Sequence, residues 1–266
     1  MKINSIYLAF HGEQNYTGIG TPIVVVRTQG CPFRCYKATM GVLCDTPEAL
    51  ERHGGTTRSM TPEEVIAEVN HLAAGRINSI LLTGGDPLWD LDKDLKQFIG
   101  MCTVDNAYNV VVETSGHLDF RPYKIATSQM AGSLGFMLDW KLQSAGLDPK
   151  GSIFTNDDDP VTLTDLTKRD GIKFVIADEK DLHEAVKVAI EIQRQASLFS
   201  EKGLEGAPML YFGPYFGGDL SATDIFLHLL RCTDLDLKKV KMTMQIHKYA
   251  QIPKETLVQT ILDPLT

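Results

Sequence analysis

Basic charge, tryptophan and long apolar runs are all scarce in this chain, and the first and last of these shortages narrow what it can be. Lysine and arginine number 26 against 34 aspartates and glutamates, a formal net charge of −8. A protein that grips nucleic acid does so by neutralising phosphates with a basic face, so no direct nucleic-acid partner is expected. A small anionic ligand remains compatible, because one or two arginines suffice inside a pocket. No apolar stretch approaches the roughly 20 residues of a membrane-crossing helix. The opening segment, 1–10, has one lysine and a short apolar patch without the layout of a signal peptide. The expectation is a cytoplasmic protein with no membrane partner. Trp89 and Trp140 are the only two tryptophans, and both read as packing residues.

What is present suits a single large domain over 1–266 with a full core. Strand-like runs recur at 22–30 (PIVVVRTQG), 79–85 (SILLTGG), 108–116 (YNVVVETSG), 135–142 (GFMLDWKL), 171–178 (GIKFVIAD), 208–214 (PMLYFGP) and 240–248 (VKMTMQIHK). Several are continuous and rich in Val and Ile, as strands covered on both faces are. Helical patterns lie between them. The stretch 61–74 opens with Thr61 as cap, Pro62 at the first helical position and Glu64 to complete a capping box. Shorter or longer helices are predicted at 91–99, 181–197 and 221–231, the last capped by Ser221 with Asp224 three residues on. Alternation of this kind implies βα units with right-handed crossovers. The expected fold class is α/β, a partial open (β/α) barrel of six or seven mostly parallel strands. Segment 144–170, with its Gly, Pro and Asn residues and Asp157-Asp158-Asp159, reads as a surface excursion.

Five cysteines are present, and three of them, Cys31, Cys35 and Cys44, fall within 14 residues. Clustered thiols in a cytosolic chain point to metal and away from disulfides. Three thiolates can hold three irons of a cubane cluster and leave the fourth iron to a ligand that is not protein. The competing reading is a zinc site with His53 as a fourth ligand. Cys102 and Cys232 are isolated and read as small buried hydrophobes. The cluster loop, 30–46, follows a strand, where parallel α/β folds place active sites. Two more constellations sit at strand ends. In Thr83-Gly84-Gly85-Asp86-Pro87, paired glycines allow close approach to the backbone, and their carbonyls with the Asp86 carboxylate suit a primary ammonium. Glu113-Thr114-Ser115-Gly116 offers a carboxylate and hydroxyls for a ribose. Either stretch alone is equally compatible with an ordinary turn.

The cysteine triplet after the first of these strands, GGDP after the second and ETSG closing the third resembles, in that order, the radical S-adenosylmethionine (SAM) superfamily. The chain is further similar to one family within it, the 7-carboxy-7-deazaguanine synthases (QueE). The likeness is carried by Phe10-His11-Gly12-Glu13 with Gly20-Thr21-Pro22, by Val26-Arg27-Thr28-Gln29-Gly30-Cys31, and by Cys44-Asp45-Thr46. It continues through Asp139-Trp140-Lys141 with Ser144-Ala145-Gly146, Ile172-Lys173-Phe174-Val175-Ile176 and Gln245-Ile246-His247-Lys248.

The resemblance implies a 4Fe–4S cluster on Cys31, Cys35 and Cys44, with SAM on the open iron and cleavage to a 5′-deoxyadenosyl radical. It implies ring contraction of 6-carboxy-5,6,7,8-tetrahydropterin to 7-carboxy-7-deazaguanine with loss of ammonia, a step of 7-deazapurine and queuosine biosynthesis. Thr46 would serve Mg2+, which prefers oxygen ligands. Arg27 would pair with the substrate carboxylate. His11, Gly12, Glu13 and His247 would contact the pterin. Gly84, Gly85 and Asp86 would hold the methionyl end of SAM, Glu113 and Ser115 its ribose, and the run Phe174-Val175-Ile176 its adenine. An electron donor such as a flavodoxin and a homodimer are implied as well. From the residues alone, Arg27 and Glu13 read equally as surface ion-pair or loop side chains, and Lys141 as a counter-charge for Asp139.

Three departures from the family pattern stand out. The spacing is C-x3-C-x8-C where the superfamily usually has C-x3-C-x2-C, and the added residues lie in 36–43. Extra loop length costs little entropy, so the ends can stay in place. His11 stands where the family commonly has Gln, and Asp86 where Glu is usual. Two other classes share some of these features: a glycyl-radical activase, which has the cluster and the glycine turn but acts on a protein, and a non-catalytic zinc-binding module.

Overall fold

The computed structural model describes residues 1–41, 44, 46–51, 57–89, 93–124, 131–147, 165–199 and 208–246. Among these residues, nine strands form one sheet in the order β3-β1-β2-β4-β5-β6-β7-β8-β9. All seven strand-like runs are present as the parallel part: β2 (Pro22–Thr28), β4 (Ser79–Gly84), β5 (Asn109–Thr114), β6 (Ser133–Trp140), β7 (Gly171–Ile176), β8 (Met209–Pro214) and β9 (Val240–Met242). The two additional strands, β1 (Lys2–Phe10) and β3 (Arg58–Ser59), add an antiparallel edge. β1 escapes a reading by alternation for a physical reason. Its pairing with β2 shifts register between Ile3 and Ser5, so the period of two is broken by a bulge.

The helices follow the capping signals. α1 (Lys37–Met40) is a single turn inside the cluster loop. α2 (Pro62–Ala73) carries the capping box in full: the Thr61 hydroxyl accepts from Glu64 N at 3.2 Å, and Glu64 Oε2 accepts from Thr61 N at 2.8 Å. α3 (Lys93–Gly100) and α4 (Glu179–Phe199) cover the next crossovers, and α5 (Ala222–Arg231) repeats the box with Ser221 and Asp224. No helix of the described residues is long and apolar enough to cross a membrane.

Strand periodicity sorts the side chains into two layers. One face packs under the helices: Val24 and Val26, Ile80 and Leu82, Val110 and Val112, Phe136 and Leu138, Ile172 and Phe174, Leu210 and Phe212 are buried in one core. The alternate positions face the barrel interior. There Val111, Met137 and Tyr211 form a separate cluster with Tyr16 and Leu81. Tyr16 donates to the carbonyl of Val110 at 3.1 Å, and its ring lies where a Cβ on Gly135 would stand, so only glycine admits it. Phe174 and Ile176 lie in the helix-side core, so within the run expected to meet adenine only Val175 stands at the alternate position. Of the excursion at 144–170, the part 148–164 lies outside the described residues. Its return is anchored by buried Asp170, which accepts from Phe136 N at 2.8 Å and pairs with Lys124 at 2.7 Å. Cys102 is fully buried, and Cys232 packs against the core as a hydrophobe would.

Truncating Phe174 to Ala removes the ring stacked 4.9 Å from Phe212, and should cost about 3–5 kcal/mol. Thr61→Ala should cost about 1 kcal/mol through the lost cap. Both are read as shifts of the denaturant midpoint.

Candidate active site

The carboxyl ends of the parallel strands surround a cavity of about 390 Å³, a size suited to small ligands. Cys31, Cys35, Cys44 and Thr46 line it from the cluster loop, Gly84 and Gly85 from β4, Glu113 and Ser115 from β5, and His11, Gly12, Glu13 and Arg27 from the β1–β2 hairpin. His247 and His53 lie outside the described residues. Asp86 does not line the cavity, and neither does the run Phe174-Val175-Ile176.

Close backbone contact shapes the cluster loop. Gly30 N donates to Ala49 O at 2.7 Å and Cys31 N to Leu50 O at 3.0 Å. Gln29 donates to the carbonyls of Glu48 and Glu51, and accepts from Asn4 at 2.8 Å. Tyr36 takes up a left-handed conformation (φ 65°), and its N–H reaches Ala145 O at 2.9 Å. None of the five cysteines is in a disulfide. Burial pushes the Cys31 thiol up to about 12, with Asp86, Cys35 and Cys44 adding to it. Burial raises Cys35 too, and Lys141 acts against that rise. Among the described residues no group of three or more His, Cys, Asp or Glu side chains is drawn together at ion-binding distance. The chemistry of the donor set nonetheless fits a cluster: three thiols, unpaired with one another, face one cavity beside an open space. A bound cluster would need them deprotonated and drawn inward.

The glycine pair has a second reason to be there. A Cβ on Gly85 would lie 2.0 Å from Gly30 O, and one on Gly84 (φ 131°) 2.3 Å from Thr28 O. Both glycines therefore let β4 cross the cluster loop at backbone contact. Asp86 completes that crossing from inside. It is buried, its N–H donates to Gly30 O at 2.9 Å, and its carboxylate accepts from Thr114 Oγ1 at 3.0 Å, Ser115 N at 2.9 Å and Leu88 N at 3.1 Å. This carboxylate is thus spent on joining the β4 and β5 loops. Glu113 accepts from Thr83 Oγ1 at 3.1 Å at the cavity wall.

Across the cavity, charge is matched in pairs. Lys173 Nζ meets Glu13 Oε2 at 2.7 Å, and Gln245 Nε2 donates to Glu13 Oε1 at 2.8 Å. Burial alone would lower Lys173, but Glu13, Glu113 and Asp139 outweigh it and hold the ammonium raised. Lys141 meets Asp139 Oδ2 at 2.7 Å; burial acts to lower it, and Asp139 and Cys35 hold it raised. Asp139 Oδ1 is buried without a partner. Arg27 pairs with Glu48 at 2.9 Å and donates to the Tyr7 hydroxyl at 3.0 Å, while its buried Nε has no partner. Reasoning from the sequence assigned no role to Lys173 or Tyr7. The available signal was a lysine inside the otherwise apolar run of β7. His11 is 1% exposed and its pKa is lowered by burial to about 4, so the ring is neutral.

Comparison with solved structures gives the class first. The chain matches QueE from Escherichia coli with a TM-score of 0.56 over 91% of this chain and 92% of that one, at 18% identity. It matches SuiB of Streptococcus suis, solved with S-adenosylmethionine bound, with a TM-score of 0.54 over 87% of this chain and 52% of that one, at 10% identity. The fold is an α/β fold whose sheet resembles a radical-SAM (β/α) barrel core. No family model matches the chain. A 7-carboxy-7-deazaguanine synthase of Koribacter versatilis is 31% identical over 261 residues, 96% of this chain and 98% of that protein. The chain belongs to the 7-carboxy-7-deazaguanine synthase family.

Two outcomes follow from the charges. Lys173→Met leaves Glu13 buried without its cation and should destabilise the fold by about 3–5 kcal/mol, measured by denaturant unfolding. The depressed pKa of His11 (about 4, against roughly 6.5 in an unfolded chain) gives stability that is full above about pH 6.5 and is lost as pH falls toward 4. By pH 5 the loss should be about 2 kcal/mol, seen as a steeper acid decline for the wild type than for His11→Gln.

Proposed function

We propose that this chain is a radical SAM enzyme that converts 6-carboxy-5,6,7,8-tetrahydropterin to 7-carboxy-7-deazaguanine with loss of ammonia. The observation that carries the reading is that the cysteine triplet, the glycine pair, Glu113 with Ser115, and Arg27 with Glu13 all line one cavity. Family membership supports it independently.

Cys31, Cys35 and Cys44 would hold a 4Fe–4S cluster, and Thr46 would offer its hydroxyl to Mg2+. When bound, the cluster and SAM would supply one-electron radical chemistry for taking a hydrogen atom from the substrate. The chain's own residues position and shield. The carbonyls of Gly84 and Gly85 face the cofactor's ammonium, with Asp86 acting behind them by bracing the two loops. Glu113 and Ser115 meet ribose hydroxyls. Lys173 keeps Glu13 ionised, so that its carboxylate accepts from the pterin amino and ring N–H groups. Arg27, steadied by Tyr7 and Glu48, turns its inner N–H toward the substrate carboxylate. His247 would contact the substrate from the chain beyond β9. A homodimer and a flavodoxin-type electron donor complete the reading.

Anaerobic reconstitution should give brown protein with about four irons per chain, and Cys44→Ala should lose most of the colour. Turnover with SAM, reductant, Mg2+ and carboxytetrahydropterin should yield 5′-deoxyadenosine together with the deazaguanine mass. Deoxyadenosine without deazaguanine would leave the radical chemistry standing and remove this substrate. A colourless zinc protein would remove both.

A further inference from the structure

His11 presents one nitrogen, Nε2, that is buried, has no partner and sits on a residue lining the cavity. Its other nitrogen is held from behind. Asn15 Nδ2 lies 2.9 Å from His11 Nδ1. Which end of the Asn15 amide faces the ring is settled by its other contacts. Asn15 Oδ1 accepts from Thr17 N at 2.9 Å and from Thr17 Oγ1 at 2.7 Å, while Nδ2 also points to the Glu13 carbonyl at 3.4 Å. The reverse orientation would set an NH2 against a backbone N–H and an oxygen against a carbonyl. Asn15 therefore donates, His11 Nδ1 accepts, and the one proton of a neutral imidazole must sit on Nε2. The backbone is fixed as well: His11 N donates to Thr21 O at 2.8 Å, and His11 O accepts from Gly20 N at 2.9 Å.

We propose that Asn15 is a positioning residue that locks His11 as a hydrogen-bond donor, and that this donor takes the carbonyl oxygen of a 2-amino-4-oxo pterin edge. The second half of this inference rests on the pterin reading above. Glu13 lies two residues on and lines the same cavity. Its oxygens accept from Lys173 and from Gln245, and an ionised carboxylate offers about four acceptor sites in all. Two acceptors and one donor complement an edge made of an amino group, a ring N–H and a carbonyl. A glutamine at this position, as the family commonly has, can offer either its oxygen or its NH2. Histidine locked in this way can only give.

The test uses two readouts. Nitrogen NMR of 15N-histidine-labelled ligand-free chain reports the proton position directly. The proton is expected on Nε2; a proton on Nδ1 overturns the lock. Binding of oxidised pterin-6-carboxylate, an unreactive probe, is then measured by titration. His11→Gln keeps an available donor and should bind within about threefold of wild type, whereas His11→Met should weaken binding about 10-fold or more, the scale of one lost hydrogen bond at a buried site. Thermal unfolding confirms that the Met variant is folded. Equal binding by the folded Met variant overturns the donor role. Failure of the wild type to bind the probe, with the proton still on Nε2, removes the pterin reading and leaves the lock.

Discussion

Backbone contact between Gly85 and Gly30 is the constraint from which the site is built. With the Gly30 carbonyl 2.0 Å from where a Cβ on residue 85 would stand, the chain leaving β4 can pass the cluster loop only because residue 85 is glycine. The hydrogen bond from Asp86 N to Gly30 O locks that crossing, and the Asp86 carboxylate carries the tie on to Thr114 and Ser115. Three loops, bearing Cys31, the carbonyls of Gly84 and Gly85, and Ser115, are thereby held as one piece. A rigid shell of this kind spends its ordering entropy during folding and not when a ligand arrives.

Charge inside the barrel is arranged by the same logic. Interior positions of β6 and β7 alternate with core positions, so Asp139 lines the cavity and Lys173 reaches Glu13 in its wall, while Leu138 and Phe174 pack beneath helices. Lys141 and Lys173 each meet a carboxylate at 2.7 Å, and these partners hold the two ammonium groups raised against the effect of burial. Fixed charges are thus held at short range beside the cavity, where they can orient a ligand.

Recurring apolar runs, several of them rich in Val and Ile, made all seven parallel strands legible, and the Thr61–Glu64 and Ser221–Asp224 boxes marked two helices to within a residue. The edge strand β1 was hidden by its bulge. At the site, the residue types and their order were enough to bring Cys31, Gly84, Glu113 and Arg27 to one cavity. What pattern could not show were partnerships across the barrel: Lys173 meets Glu13 from 160 residues away, and no local periodicity encodes that. Asp86 lay at the expected place in the chain but faces inward, because Thr114, Ser115 and Leu88 offer it three close donors where a ligand ammonium would offer contact only when bound. His11 was legible as a departure, while its direction depended on an asparagine whose orientation only coordinates reveal.

The described part of the long stretch between Cys35 and Cys44, residues 36–41, is not slack. Tyr36 reaches Ala145 O, stacks 4.8 Å from Tyr215, and begins a turn of helix from which Thr39 bonds the Ser144 carbonyl. The insertion is thus a strut whose far footing lies in the turn after β6. Transplanting it alone into a relative with the short spacing would leave it without purchase, and loop and footing form one exchangeable module.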